Sequence, residues 1–290
     1  MKTLARIPRR LAILALIVGG LAGCASTTLP QKGNNVSDQS KQQVTALVKA
    51  IETGDSAAVA VVNPDKYVQH NLAIADGLAG FGAALQALPK GSARVNTVRV
   101  FLDADYVFAH TDYNFFGPKI GFDIFRFENG KIVEHWDNLQ EKPANANASG
   151  HTMIDGPTSV RDLDKTAANK QLVSAFVDDI LVNGRFERLS GYFDDGKYVQ
   201  HNPQIADGLS GLGTALEALA KAGISLKYSK VHKVLGEGNF VLVVSEGEFA
   251  GKPTSFYNLF RVQNGKIAEH WDTIEPILPR ADWKNTNGKF

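Results

Sequence analysis

Apolar positions along this chain change period in a fixed order, and they do so twice. Val44, Leu47, Val48 and Ile51 recur at helical spacing, as do Leu172, Val173, Phe176, Val177, Ile180 and Leu181. Each set predicts an amphipathic helix, stopped at Gly54 in one half and Gly184 in the other. A short helix and a Tyr-Val-Gln-His-Asn segment follow, then a small-residue helix over residues 78–88 and again over 209–221. After that the period drops to two. Alternation predicts strands over 95–102, 106–116, 120–128 and 131–139, and over 226–235, 240–249, 254–263 and 266–274. Asn129-Gly130 and Asn264-Gly265 join the last two strands of each set. That dipeptide favours a type I′ hairpin turn, whose two central residues need positive φ. Helices first and antiparallel strands after define an α+β architecture.

The two halves also share their letters. Tyr67-Val68-Gln69-His70-Asn71 returns 131 residues later as Tyr198-Val199-Gln200-His201-Asn202, and Glu134-His135-Trp136-Asp137 returns 135 residues later as Glu269-His270-Trp271-Asp272. A period this long means duplicated domains, because solenoid units span about 20–50 residues. The expected boundaries are a first domain over 40–142, a linker over 143–164 carrying Pro143 and Gly156-Pro157, a second domain over 165–280 and a C-terminal tail over 281–290.

A two-residue turn pairs Glu128 with Lys131, so a regular ladder puts Asp123, Phe125, Phe127, Ile132, Glu134 and Trp136 on one face of the sheet. Ile124, Arg126, Glu128, Lys131, Val133, His135 and Asp137 take the other. Charges that can pair across strands crowd the second set, so the first is expected under the helices. This places Asp123 and Glu134 beside an indole on an apolar wall, with His135 and His270 on the charged face.

Composition and charge narrow the classes. The chain has 290 residues, 44% hydrophobic and 21% charged, with a formal net charge of +1, so it carries no electrostatic footprint for nucleic acid. Lys2, Arg6, Arg9 and Arg10 precede an apolar run from Leu11 to Gly23, too short for a membrane span of about 20 residues, and residues 1–23 read as an export signal. No phosphate loop, nucleophile elbow or dinucleotide fingerprint occurs, and no cofactor is expected.

Two resemblances sharpen this reading. Leu21-Ala22-Gly23-Cys24 resembles the bacterial lipobox, which implies acylation of the only cysteine and an exported lipoprotein anchored in a membrane, with Ala25 pointing to the outer membrane facing the periplasm. Residues 24–39 would be a flexible tether. The helix order, the Gln-His-Asn block, Asp123-Ile124-Phe125-Arg126 and Gly130-Lys131-Ile132-Val133-Glu134-His135-Trp136-Asp137 resemble the SnoaL-like polyketide-cyclase branch of the nuclear transport factor 2-like superfamily. The resemblance covers both copies. It implies two tandem cone-shaped domains, each three helices packed on a curved antiparallel sheet around an apolar pocket. It also implies pairing through the sheets, as an intramolecular pseudo-dimer or a homo-oligomer with His135 and His270 near the seam.

Aldol closure, isomerisation and dehydration beside a carbonyl need a base for a carbon-bound proton and a donor for the oxyanion. Asp123 is the candidate base and His110 the candidate donor, with Glu134 alongside. Tyr67, His70, Phe108, Phe125 and Trp136 are expected to line the first pocket, and Tyr198, His201, Asn258, Glu269 and Trp271 the second. Asn258 and Val244 replace Asp123 and His110 in the second copy, which puts acid/base chemistry on a small carbonyl compound in the first. The competing class is a non-catalytic module for binding a small apolar ligand or for assembly. The alternation points His135 away from His70, His110 and Asp112, so no metal site is expected.

Overall fold

The computed structural model describes residues 32–89 and 91–290. Residues 1–23, expected as an export signal, and Cys24 lie outside the described residues. The first half forms α1 (Lys32–Thr53), α2 (Ser56–Val59), β1 (Val68–Gln69), α3 (Gly77–Ala87), β2 (Arg94–Asp103), β3 (Tyr106–Asn114), β4 (Pro118–Glu128) and β5 (Lys131–Glu141). The second forms α4 (Thr166–Phe176), which runs on as a π-helical segment Val177–Val182, then a 3₁₀ segment Phe186–Tyr192 in the place of α2. Next come β6 (Val199–Gln200), α5 (Gly208–Lys221), β7 (Leu226–Glu237), β8 (Phe240–Phe249), β9 (Lys252–Gln263) and β10 (Lys266–Pro276). Each half is a five-stranded sheet with helices, ordered β1-β5-β4-β3-β2 and β6-β10-β9-β8-β7. Two tandem α+β domains result.

α1 starts at Lys32, so residues 32–39 belong to the helix and not to the expected tether. Extending a formed helix costs far less than nucleating one, and Val44, Leu47 and Val48 hold α1 to the sheet.

The hairpin turns form as the dipeptides require, with φ of 51° and 75° at Asn129-Gly130 and 53° and 71° at Asn264-Gly265. Glu128 pairs with Lys131 and Phe127 with Ile132, but Arg126 then pairs with Glu134. Val133 is the extra residue of a β-bulge, and Ala268 repeats it, because Val262 pairs with Ile267 and Arg261 with Glu269. A one-residue slip moves every following side chain to the opposite face. His135 and Asp137 therefore sit under the helices with Asp123 and Phe125, while Glu134 and Trp136 turn outward, reversing the expected faces beyond the bulge.

That outward face is where the domains meet. Phe101, Phe108, Phe122, Ile124 and Trp136 merge with Leu235, Phe240, Leu242, Val244, Tyr257, Leu259 and Trp271 in one buried cluster. Burying one such side chain stabilises by about 1.5–3 kcal/mol, so the seam is a core in its own right. Contacts across it are reciprocal, as a two-fold relation demands. The Leu139 amide donates to Glu275 Oε2 (3.3 Å) and the Ile274 amide to Gln140 Oε1 (2.8 Å). Likewise the Leu102 amide donates to Glu237 (2.8 Å) and the Gly236 amide to Asp103 (2.9 Å), and these carboxylates pair with Lys41 and Lys170 of the opposite domains. Trp136 stacks on His70 (4.7 Å) and meets Lys233 of the other domain (4.0 Å), as Trp271 stacks on His201 (4.5 Å) and meets Arg99 (4.4 Å).

The linker and the tail, expected as connections, are exchanged straps. After β5 the chain crosses to the second domain, where Asn147 Nδ2 donates to the carbonyls of Asn202 (3.4 Å) and Ile205 (3.0 Å) and the Thr152 carbonyl meets His201 Nδ1 (2.8 Å). After β10 it crosses back. Asn285 Nδ2 donates to the carbonyls of Asn71 (2.8 Å) and Ile74 (2.9 Å), and the Gly288 carbonyl meets His70 Nδ1 (2.8 Å).

Candidate functional site

Each sheet curves around a cavity closed by its helices, and the bulge decides which polar groups reach it. β1 runs parallel to β5 with Gln69 opposite His135, so in the Gln-His-Asn block Gln69 and Asn71 face the cavity and His70 faces the seam. In the first domain the floor is one network. Gln69 Oε1 accepts from the Asn71 amide (2.8 Å), which orients the side chain, so His135 Nδ1 donates to the same oxygen (3.0 Å). His135 Nε2 then faces Asp123 Oδ1 at 3.2 Å. Tyr113 donates to Asp123 Oδ2 (2.7 Å) and Asn71 to Asp137 Oδ2 (2.6 Å). With Tyr67, Phe81, Phe115 and Phe125 crowding it, this cavity measures only about 100 Å³.

The second domain keeps the floor and enlarges the room. His270 Nδ1 meets Gln200 Oε1 (2.9 Å), and Nε2 lies 2.9 Å from Asn258 Oδ1. Asp272 takes only the Asn202 amide, at 3.0 and 2.8 Å. The cavity measures about 440 Å³, within the ~300–1,000 Å³ of small-molecule sites, and Phe176, Ile180, Leu212 and Leu216 are among its apolar walls. Burial pushes the Asp272 carboxyl up to about 6, against the Asn202 hydrogen bond, and burial with the nearby His201 brings His270 down to about 3. At neutral pH the pocket holds a neutral imidazole beside a carboxylate poised to accept a proton.

The sequence-expected residues divide by face. Asp123, Tyr67 and Phe125 line the first cavity, and Tyr198 and Asn258 the second. Glu134, His70, Trp136, Phe108 and His110 do not, nor do His201, Glu269 and Trp271; all lie on the seam side. Glu134 binds His70 Nε2 (3.0 Å) and Arg126 Nε (2.7 Å), so it is an ion-pair partner and not a base in the pocket. His110 is fully buried against Phe122, takes a hydrogen bond from Arg99 (3.2 Å), and is held well below the ordinary histidine range by burial and then by that guanidinium. His135 and His270, expected near the seam, are pocket residues instead. Sequence reasoning missed them together with Asp137 and Asp272, because the bulge residue carries no distinguishing letter; Tyr113 was missed although plain alternation on β3 places it on the Asp123 face.

Among the described residues two groups bring metal-ligand types together: Asp123, His135 and Asp137 in the first cavity, and His151, Asp155 and His201 where the linker strap docks. The first does not suit a cation. Lys289, itself buried, stands 3.7 Å from Asp137 Oδ1 and already brings a positive charge to the group.

A family model described as a SnoaL-like domain matches residues 44–135 and again residues 173–270. Among solved structures, TsrD from Streptomyces laurentii is similar at 19% identity over 36% of this chain and 89% of its own, with a TM-score of 0.31. A LEH-like epoxide hydrolase from M. tuberculosis is 17% identical over 36% of this chain and 84% of its own, with a TM-score of 0.32. An NTF2-like protein from Cytophaga hutchinsonii is 13% identical over 34% and 87%, with a TM-score of 0.30. No curated protein matches.

Proposed function

Because this chain belongs to the SnoaL-like domain family and carries that domain twice, we propose that it binds a small, largely apolar carbonyl compound in its second domain and moves a proton there. The observation that carries the reading is a cavity of about 440 Å³ whose floor presents a carboxyl raised to about 6 by burial. In this scheme Asp272 takes a proton from the carbon beside the carbonyl, the C–H electrons pass to the carbonyl oxygen, and the Asn258 amide and Tyr228 hydroxyl receive the developing charge. Tyr228 reaches Asn258 at 3.4 Å. The first domain, where the chemistry was expected, brings Asp123 and His135 together but leaves little room for a substrate, which supports a scaffold role. Through Cys24 the molecule would be tethered to a membrane.

The test is proton exchange. The protein in heavy water with a small cyclic ketone should catalyse deuterium incorporation at the α-carbon, read by NMR. Asp272→Asn should abolish it and Asp123→Asn should not. Exchange that follows Asp123 would move the chemistry to the first domain. Ketone binding without exchange would make the second domain a binder only.

A further inference from the structure

The strap from the linker meets the second domain in a way its counterpart in the first domain does not. His201 Nε2 lies 2.8 Å from Glu269 Oε1, and Arg261 fixes that carboxylate through Oε2 at 2.6 Å. His151 Nε2 lies 3.2 Å from Asp207 Oδ2. Each ring turns its Nε2 to a carboxylate, the arrangement that orients metal-binding imidazoles, and presents Nδ1 on the opposite side. Both Nδ1 atoms turn to one group, Asp155, at 2.8 Å for His201 and 3.4 Å for His151. The Thr152 carbonyl joins them, 2.8 Å from His201 Nδ1.

Two ring nitrogens, a carboxylate and a carbonyl thus converge, and a hydrogen on Nδ1 of either ring is the one that a bound cation would displace. From this geometry we propose that His151, Asp155 and His201, with the Thr152 carbonyl, form a structural site for one zinc ion that clasps the linker onto the second domain. Two imidazoles and a carboxylate are a zinc donor set, and one ligand atom from each of the three residues lies within 4.8 Å of the other two. His151 and Asp155 have side chains 31% and 42% exposed, so an ion has a way in, while His201 is fully buried and fixed. The clasp would act on both domains, because the Asp155 carbonyl takes hydrogen bonds from Arg99 of the first (2.5 Å) and Trp271 of the second (3.0 Å). In the first domain His70 is held alike by Glu134 and the Gly288 carbonyl, but among the described residues no group of ligand types gathers around it.

The experiment uses untagged protein stripped with chelator and titrated with Zn²⁺ near pH 7.5, followed by calorimetry and thermal melting. One equivalent per chain is expected, with a melting temperature raised by roughly 5 °C or more at a hundredfold excess over Kd. His151→Ala and Asp155→Asn should weaken binding at least tenfold and remove the zinc-dependent rise. The metal-free melting curve of each variant shows separately that it folds. Tetrahedral visible bands with Co²⁺ in the parent chain, lost in His151→Ala, would support the site. Equal zinc affinity in parent and His151→Ala, or no binding to either, would overturn it and leave a clasp closed by protons.

Discussion

Tyr113 on β3 and Gly247 on β8 hold the same register position in their domains, and the difference between them separates the two cavities. Tyr113 pairs with Val95 across the strands, whereas Gly247 pairs with Tyr228, so the phenol moves to the neighbouring strand and stacks on Phe256 at 4.2 Å. Gly247 is also required by contact, since a Cβ there would lie 1.9 Å from the Lys227 carbonyl oxygen. Tyr113→Phe should cost about 1–3 kcal/mol, because Asp123 loses its hydroxyl donor in a buried setting. Tyr113→Ala should cost about 3–5 kcal/mol and open the first cavity. Urea unfolding measures the two costs, and an apolar fluorescent probe that binds one site in the parent should bind two in Tyr113→Ala.

Exchange of the straps predicts effects that cross domains. Asn285→Ala removes the donors to the carbonyls of Asn71 and Ile74, at a cost of about 1–3 kcal/mol. Amide hydrogen exchange should rise around residues 69–76 of the first domain although the substitution follows the second. Asn147→Ala should do the reverse, loosening residues 200–207. Rises confined to the domain preceding each substitution would refute the exchange.

The architecture was legible because local signals agreed with one another: helical then alternating periods, glycine stops and Asn-Gly turns all pointed to the same layers. The motif block located the pocket floor but named the wrong member, since His70 faces the seam and its neighbours Gln69 and Asn71 face the cavity. The bulges at Val133 and Ala268 were not legible, because the extra residue is an ordinary apolar one and the pattern stays alternating on either side. His151 and Asp155 escaped notice for a different reason: they lie in a segment whose composition reads as a linker, and only docking onto His201 gives them neighbours.

Anchoring through Cys24 has its own test. Several acyl chains bind a bilayer firmly because each buried CH₂ contributes about 0.8 kcal/mol. Cys24→Ser should shift the protein from washed membranes to the soluble exported fraction, with its melting curve unchanged. Retention on membranes after a high-salt wash would remove the anchor.

The second pocket should reveal itself in the pH dependence of stability, through two groups whose contributions oppose each other. Asp272 is raised from 3.8 to about 6, so between roughly pH 4 and 6 the unfolded carboxyl is ionised while the folded one keeps its proton, and stability falls as pH rises. His270 is lowered from 6.5 to about 3, so across the same range the unfolded ring is protonated while the folded one is not, and stability rises with pH. The two slopes, each up to about 1.4 kcal/mol per pH unit, cancel in the parent chain. Asp272→Asn should expose the histidine slope, gaining about 3 kcal/mol over the parent between pH 4 and 7 and then levelling off. His270→Gln should drift the opposite way relative to the parent over that range. Urea unfolding of parent and variants at pH 4, 5, 6 and 7 gives both differences directly. A pH-independent difference for Asp272→Asn would mean that its carboxyl is not raised and that the proposed base is absent.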